Sequence, residues 1–325
     1  ILFERMAMRT ALACLLPVLL LATTQWSMDW TPKHPGWMAR MERRLKQIRQ
    51  IENTQWRWDA YMGLVTSGVI VSNFTELGFE VIEGPKNLHK LLNETLHRNM
   101  PRSGKEGPVD QIFCDEDPTF VHTGLNRKVL MDLLPLHEEW CGVKLKPAIS
   151  YGLRVYKNAS FLTMHTDRLD THVISSIFHV DRDQEEPWPL VIEDTQGNVH
   201  EVALEPGQLL FYESSKLLHG RPRPFNGTWY TSIFTHYYPV DWDKTQRMVI
   251  DNIPHNWQLP VEEHGEPRLT VVGTGLLEHC ASHWCDLEGP DAKEIEDEKL
   301  AEKLAKQLGV ATASRDKKRV SRDDL

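Results

Sequence analysis

The pattern of hydrophobic and polar positions divides the chain into a helical first part and a β-rich second part. Apolar residues at helical spacing, with basic residues on the other faces, predict an amphipathic helix from Trp37 to Gln55. Two shorter helices are predicted, around Leu88–His97 and around Leu130–Trp140. From Tyr151 onward, short β-rich runs alternate with turn residues. The predicted strands are Tyr151–Tyr156, Phe161–Asp167, His172–Val180, Leu190–Glu193, His200–Leu204, Gln208–Tyr212 and Tyr230–Tyr238.

Closely spaced strands preceded by helices predict an α+β fold with a mainly β core, a sandwich or barrel, under an α-helical N-terminal layer. Residues 291–308 are charged and carry an apolar stripe, which predicts a helical C-terminal extension. We therefore divide the chain into a signal segment at 1–24, a helical and mixed region at 25–145 that packs on the core, the β core at 146–245, and a C-terminal extension at 246–325.

The first residues have the pattern of a targeting segment. Arg9 precedes an apolar run from Ala11 to Ala22, which is of signal-peptide length and short for a membrane span. Small residues at its end predict cleavage near Thr24. The alternative is an uncleaved signal anchor, which would make the chain a type II membrane protein that faces the lumen.

Three further features favour the secretory pathway and predict a glycoprotein of the endoplasmic reticulum lumen. The last four residues, Arg322-Asp-Asp-Leu325, resemble the K-D-E-L signal that a retrieval receptor reads. Four cysteines remain beyond the signal segment, and an even number fits disulfides, with buried thiols as the alternative. The local pairings are Cys114 with Cys141 and Cys280 with Cys285. Glycosylation sequons occur at Asn73, Asn93, Asn158 and Asn226.

Composition and charge narrow the class of partner. The chain is 41% hydrophobic and 26% charged, as in a globular protein, and its net charge is -9. Dense basic runs occur only at 40–49 and 315–322, and both are typical of solvated surface or tail. We therefore expect no nucleic-acid partner.

One group of residues carries candidate metal chemistry. His165 and Asp167 are two positions apart, so on a strand both side chains lie on the same face. His219 follows 54 residues after His165 and can reach them from another strand. Two imidazoles and one carboxylate form the facial triad, which binds Fe(II) and leaves positions open for an oxo-acid and dioxygen.

Residues 151–240 resemble the double-stranded β-helix, or jelly-roll, core of the prolyl 4-hydroxylase-like 2-oxoglutarate/Fe(II) oxygenases. The family pattern is a Tyr nine residues before His-x-Asp, then Pro-x-Gly before a strand, then a distal His in a loop. Tyr156, His165, Asp167 and His219 match it in order, and Pro206 and Gly207 stand next to each other at the place of Pro-x-Gly. The resemblance implies Fe(II), 2-oxoglutarate as cosubstrate and ascorbate as reductant. It implies hydroxylation of an unactivated C–H bond and no catalytic side chain beyond the metal site.

The chain departs from this family at one position. The family usually has Lys or Arg about ten residues after the distal His to pair with the outer carboxylate of 2-oxoglutarate, and Trp229 stands there. The nearest basic residues offer a substitute. His172 resembles the His that contacts the cosubstrate in aspartyl/asparaginyl β-hydroxylases, whereas His179, His200 and His236 are expected to be structural. The predicted cosubstrate contacts are Tyr156, His172 and Arg221, with Arg154 and Arg223 as alternatives to Arg221.

Secretory targeting favours prolyl or other residues of secretory-pathway proteins as the substrate, with a small molecule as the second possibility. Two other classes remain open. A β-barrel can be a non-catalytic binding module, which the missing basic residue favours. A His/Asp/His site can also belong to a metal-dependent hydrolase, although the sequence offers no paired general base. Release of succinate from 2-oxoglutarate in the presence of Fe(II) separates an oxygenase from both.

Overall fold

The computed structural model describes residues 28–259, apart from residues 108 and 110. The signal segment, Cys280, Cys285, the helix predicted at 291–308 and the retrieval-like tail lie outside the described residues. Within the described part, no helix is both long enough and apolar enough to cross a membrane.

Five α-helices lie in the described part of the chain. The single helix expected from Trp37 to Gln55 is wrong, because the chain leaves the helical conformation after Gln50 and a second helix begins at Thr54. Asn53 causes this restart, since its side chain accepts a hydrogen bond from the backbone N–H of Trp56 at 3.0 Å. The helices predicted around Leu88–His97 and Leu130–Trp140 are confirmed and are longer than expected. The helices are α1 (Pro35–Arg49), α2 (Thr54–Val65), α3 (Lys86–Asn99), α4 (Asn126–Cys141) and α5 (Gln246–Asp251).

The strands pair exclusively in antiparallel fashion and form two sheets in the described region. Four short strands precede α4: β1 (Phe79–Glu83), β2 (Gly104–Lys105), β3 (Ile112–Phe113) and β4 (Thr119–Phe120). Eight follow it: β5 (Leu145–Lys157), β6 (Phe161–His165), β7 (Ile174–Gln184), β8 (Leu190–Glu193), β9 (Val199–Val202), β10 (Gln208–Tyr212), β11 (His219–Arg221) and β12 (Gly227–Pro239).

The strand order is that of a jelly roll. The larger sheet has the order β1-β10-β7-β12-β5-β4-β2, and the smaller sheet has the order β3-β6-β11-β8-β9. The eight strands β5 to β12 therefore supply four strands to each sheet, with the chain passing repeatedly from one sheet to the other. The predicted jelly-roll core with helices packed on it is confirmed by this topology.

The helices cover the outer faces of the jelly roll. Apolar residues of α3 and α4, such as Leu92 and Leu133, pack with Phe178 and Phe211 on the outside of the larger sheet. The apolar residues of α1 and α2 belong to one large cluster with β8 and the barrel interior. On this side Arg44 of α1 and Glu193 of β8 form a fully buried ion pair.

Two local predictions near the site are corrected by the structure. The strand expected to begin at His172 begins at Ile174, so His172 lies in the turn before β7. His219 was expected in a loop, but it begins β11, where it pairs with His165 on one side and Ile192 on the other. β11 has only three residues, too few for a hydrophobic pattern to predict a strand. It is a strand because it pairs with a neighbour on each side.

The predicted disulfide between Cys114 and Cys141 is wrong. Cys141 is buried at the end of α4 as a free thiol, 3.7 Å from the carbonyl oxygen of Val143. Burial raises the pKa of this thiol, so Cys141 belongs to the core, as the alternative of buried thiols describes.

The loop at 213–218, between β10 and β11, attaches the N-terminal layer to the jelly roll through a buried lysine. Lys216 is fully buried, and its ammonium group donates to the carbonyl oxygens of Thr31 at 2.8 Å, Ser67 at 2.9 Å and Val71 at 2.6 Å. It also lies over the ring of Trp37. Three acceptors and an aromatic face replace the water that the charge loses on burial.

The same loop contains a buried carboxylate. Glu213 accepts hydrogen bonds from the backbone N–H groups of Phe74 at 3.0 Å and Thr75 at 2.7 Å, and from the Thr75 hydroxyl at 2.9 Å. Burial lowers the pKa of Lys216 and raises the pKa of Glu213, and each charge opposes the shift of the other. The two residues therefore hold the loop and the N-terminal layer together.

Lys216→Met should lower the free energy of unfolding by about 3–5 kcal/mol, because three buried carbonyls lose their donor and Glu213 loses its compensating charge. Urea titration followed by circular dichroism measures this loss. Lys90→Met is the matched control, because Lys90 lies on the exposed face of α3 and should change stability by no more than about 0.5 kcal/mol. Equal effects of the two substitutions would contradict the structural role of Lys216.

Candidate metal centre

Three predicted ligands meet where β6 and β11 lie side by side. His165 ends β6, His219 begins β11, and Asp167 follows β6 by two residues. Asp167 Oδ1 is 3.7 Å from Nε2 of His165 and 3.9 Å from Nε2 of His219. One ligand atom from each residue lies within 4.8 Å of the other two, and the described part of the chain holds no other such group of three.

Backbone carbonyls orient both imidazoles toward this point. Nδ1 of His165 donates to the carbonyl oxygen of Thr163 at 2.7 Å, and Nδ1 of His219 donates to that of Leu217 at 2.9 Å. A carbonyl can only accept, so the proton of each neutral ring is on Nδ1 and the lone pair is on Nε2. In metal sites the same type of bond fixes the tautomer and the orientation of a ligating histidine.

The charge states of the three residues suit a divalent cation. Burial lowers the pKa of both His165 and His219 to about 4, so both rings are neutral near pH 7 and can bind a metal. Asp167 is held by its backbone N–H, which donates to the carbonyl oxygen of Ser214 at 2.8 Å. Its Oδ2 is buried without a hydrogen-bond partner, and burial raises its pKa. A bound cation would neutralise this carboxylate, so the donor set fits Fe(II).

Arg221 is a buried cation beside which the described part of the chain places no anion. Its guanidinium lies between the rings of Trp188 and Tyr230, at 4.6 Å and 4.7 Å. It donates to the carbonyl oxygen of Trp188 and, at 3.1 Å, to the hydroxyl of Tyr230. Among the described residues, no carboxylate lies within ion-pair distance of it. An unneutralised buried charge is costly, so this pocket favours an anionic ligand.

Trp229, at the position where the family pattern has a basic residue, does not face the barrel interior. Trp229 packs with the outer core of the larger sheet, whereas Tyr230 belongs to the inner cluster. The position that carries a basic residue in the family is therefore turned outward here. Tyr230, one residue later, points inward and contacts Arg221. The cation of the pocket is thus the guanidinium of Arg221 in β11, and Tyr230 in β12 accepts a hydrogen bond from it.

His179 belongs to the same pocket, although the sequence predicts only a structural role for it. Its ring stacks on Tyr230 at 4.1 Å, and its Nδ1 donates to the carbonyl oxygen of Thr231 at 2.9 Å. Its Nε2 is buried without a partner. Burial, followed by the charge of Arg221, lowers its pKa to about 3. Strand parity could have identified it, since the jelly roll makes alternate residues of β7 face the interior.

The two alternative arginines have carboxylate partners. Arg223 is partly exposed and pairs with Glu201 at the surface. Arg154 is buried and pairs with Glu106, with its Nε 2.6 Å from Oε2. Of the three predicted candidates, only Arg221 is both buried and without a carboxylate.

The remaining predicted contacts lie on two sides of the metal ligands. Tyr156 is buried, its hydroxyl accepts from Arg154 at 3.3 Å, and its ring meets the edge of Trp188. It therefore lies between Arg154 and the pocket of Arg221. The ring of His172 lies 3.9 Å from that of His236 in a tilted arrangement, and burial lowers the pKa of His172 while the charge of Asp167 opposes this shift. Its role as a cosubstrate contact stays a prediction.

No family model matches this chain. Solved structures similar to it include a Pseudomonas putida prolyl-4-hydroxylase, with 15% identity over 50% of this chain and 93% of that chain and a TM-score of 0.38. HygX from Streptomyces hygroscopicus with nickel and 2-oxoglutarate bound has 13% identity over 52% of this chain and 85% of that chain, with a TM-score of 0.40. A Trichoplax adhaerens prolyl hydroxylase in complex with a hypoxia inducible factor peptide fragment has 13% identity over 57% of this chain and 94% of that chain, with a TM-score of 0.38. Two of these neighbours are prolyl hydroxylases, and the third binds nickel and 2-oxoglutarate. Because the TM-scores are below 0.5, the fold assignment depends on the strand order and not on these alignments.

His165→Ala should abolish the binding of one Fe(II) per chain and leave the fold intact, because the core of the jelly roll does not depend on the ion. Iron content after anaerobic loading measures the first effect, and circular dichroism measures the second. His200→Ala is the matched control, because His200 pairs with Asp194 and lies outside the three-residue group. Unchanged iron content in His165→Ala would disprove the ligand assignment.

Proposed function

We propose that this protein is a 2-oxoglutarate- and Fe(II)-dependent dioxygenase that hydroxylates an unactivated C–H bond. The observation that carries the proposal is the combination of a facial triad with an unneutralised buried guanidinium inside one jelly roll. Tyr212 packs beside the metal ligands, because its ring meets that of His219 edge to face at 4.7 Å, and burial, followed by the charge of Asp167, raises its pKa. A metal ligand set and a carboxylate anchor in one interior suit a keto acid that binds at both ends.

Each residue of the site has a separate task. His165, Asp167 and His219 would hold the metal on one face. Arg221 would pair with the outer carboxylate of 2-oxoglutarate, for which its planar fork is suited. The Tyr230 hydroxyl accepts from Arg221 and so retains its own proton for donation to that carboxylate.

With Fe(II) bound, the centre would supply the oxidative chemistry in which 2-oxoglutarate, dioxygen and R–H become succinate, carbon dioxide and R–OH. The protein supplies position and exclusion of water. Trp188 is buried against Tyr156, Phe225 and Tyr230 and covers the guanidinium of Arg221. Ascorbate would serve as the reductant that keeps the metal in the ferrous state.

The non-catalytic binding module is the alternative, and the outward Trp229 favoured it. Arg221 weakens the case for the binding module, because this residue of β11 provides the interior cation that position 229 of β12 lacks. Release of succinate from 2-oxoglutarate by the Fe(II)-loaded protein tests the choice. Binding of iron without any binding of 2-oxoglutarate would favour the module.

The proposed substrate is a prolyl or other residue of a secretory-pathway protein, and a small molecule is the second candidate. The signal-like segment, the retrieval-like tail and the sequons support an endoplasmic reticulum location, with a type II membrane protein as the alternative. Asn158 and Asn226 are exposed in neighbouring turns, which suits glycans on the folded chain. Asn93 is less suited, because it is only partly exposed and lies within α3.

Arg221→Ala should raise the concentration of 2-oxoglutarate needed for half-maximal turnover at least tenfold, because the outer carboxylate loses its paired charge; tenfold corresponds to about 1.4 kcal/mol. Succinate release as a function of 2-oxoglutarate concentration measures this. Arg223→Ala is the matched control, since that arginine pairs with Glu201 at the surface and should leave the requirement unchanged. An unchanged requirement in Arg221→Ala would exclude Arg221 as the anchor.

A glycosidase that removes N-linked sugars should lower the apparent mass of the protein made in eukaryotic cells, because the sequons would be modified in the lumen. Gel mobility before and after digestion measures this. The double substitution Asn158→Gln/Asn226→Gln should remove most of the shift and is the control for site choice. Absence of any shift in the wild type would contradict the secretory location.

A further inference from the structure

A segment at 104–120 bridges the two sheets at one end of the jelly roll. β2 pairs with β4 and β4 pairs with β5 at the edge of the larger sheet, while β3 pairs with β6 at the edge of the smaller sheet. Each of these three strands has two residues. β6 ends in His165, so the segment lies beside the strand that carries a metal ligand.

This segment places a carboxylate on a guanidinium of the barrel interior. Glu106 follows β2 directly, and its backbone N–H donates to the carbonyl oxygen of Pro118 at 2.9 Å. Both of its carboxylate oxygens contact Arg154, through Nε at 2.6 Å and through Nη2. The Arg154 and Glu106 side chains are 9% and 11% exposed, so the pair lies just beneath the surface.

Aromatic side chains hold Arg154 independently of Glu106. The guanidinium carbon lies 5.3–5.8 Å from the ring centres of Phe120, Tyr151, Tyr156 and Phe234. Its Nη1 also donates to the Tyr156 hydroxyl. A guanidinium fixed in this way keeps its geometry when one carboxylate partner is replaced by another.

Arg154 is also close to the metal ligands. Nδ1 of His236 lies 3.7 Å from Oδ2 of the metal ligand Asp167. Tyr151, which packs beside Arg154, shares a hydrogen bond of 3.1 Å with His236, and burial and the charge of Asp167 raise its pKa. Arg154 therefore lies between the bridging segment and the centre at which a C–H bond would react.

We propose that Arg154 binds a carboxylate of the substrate, and that Glu106 occupies this position until the substrate arrives. The inference rests on the proposed oxygenase function and names its substrate class, a carboxylate-bearing molecule. An incoming carboxylate would exchange with Glu106 one for one, so the buried charge stays balanced while Glu106, which already lies just beneath the surface, moves toward solvent. Arg221 is assigned to 2-oxoglutarate instead, because it has no carboxylate to exchange.

Calorimetric binding of three probes to the Fe(II)-loaded protein with saturating 2-oxoglutarate under nitrogen tests the exchange. The probes are N-acetyl-aspartate N-methylamide, its asparagine counterpart and benzoate. Glu106→Gln should bind the aspartate probe at least tenfold more tightly than the wild type does, with no gain for the asparagine probe. Glu116→Gln removes an exposed carboxylate from the same segment and should change nothing.

The double substitution Glu106→Gln/Arg154→Gln keeps a neutral, hydrogen-bonding pair and should fold, but it should lose the gain. A gain that survives in this variant, or that the asparagine probe shares, overturns the proposal, as does the absence of any gain in Glu106→Gln. Tighter binding of the aspartate probe than of benzoate indicates an acidic peptide, and the reverse order indicates a small acid.

The affinity for 2-oxoglutarate, measured in the same variants, should be unchanged. Its loss in the double variant would assign Arg154 to the cosubstrate and overturn the proposal. Failure of the wild type to bind 2-oxoglutarate would contradict the oxygenase function instead, and the probe titrations without cosubstrate would still report on Arg154.

Discussion

The buried charges of Glu213 and Lys216 hold the short loop on which the geometry of the metal centre depends. Two carbonyl oxygens of this loop accept hydrogen bonds from metal ligands. That of Ser214 accepts from the backbone N–H of Asp167, and that of Leu217 accepts from Nδ1 of His219. Two of the three ligands are therefore oriented by one loop. That loop is fixed in turn by carbonyls of the N-terminal layer. The helical layer is thus part of the site, although it contributes no ligand.

The interior of the jelly roll contains two buried arginines with different surroundings. Arg154 has a carboxylate and four aromatic rings, and Arg221 has two aromatic rings and a hydroxyl. Tyr156 lies beside Arg154 and Trp188 lies beside Arg221, and these two rings meet edge to face between the guanidinium groups. The carboxylate of Asp167 balances part of this positive charge at the metal centre. One interior can therefore receive two different anions, each at its own cation.

The features that the sequence predicted are those with local causes. The His-x-Asp motif brought His165 and Asp167 together, although the predicted strand Phe161–Asp167 ends at His165 and Asp167 lies beyond it, and connectivity alone placed Arg221 close to His219. The strand β11 was missed because three polar residues have no periodicity, and its pairing partners are distant in sequence. The break after α1 was missed because the capping of Asn53 outweighs the apolar pattern.

Side-chain partners across sheets were beyond the sequence reading. Glu106 meets Arg154 across 48 residues, and nothing in either neighbourhood indicates the other. Trp229 and Tyr230 differ in direction because strand parity assigns one to each face of the sheet. The thiol of Cys141 was misassigned because an even count of cysteines is compatible with burial as well as with a disulfide.

The hydrogen bonds of Lys216 also bear on the order in which the chain folds on the ribosome. Its acceptor at Thr31 precedes it by 185 residues. At a synthesis rate of about 5–20 residues per second, roughly 10–40 s separate the emergence of that carbonyl from the emergence of its donor. During this interval the first helices exist without their central polar contact. A nascent chain of this design needs protection of its N-terminal layer until translation has nearly reached the second histidine ligand.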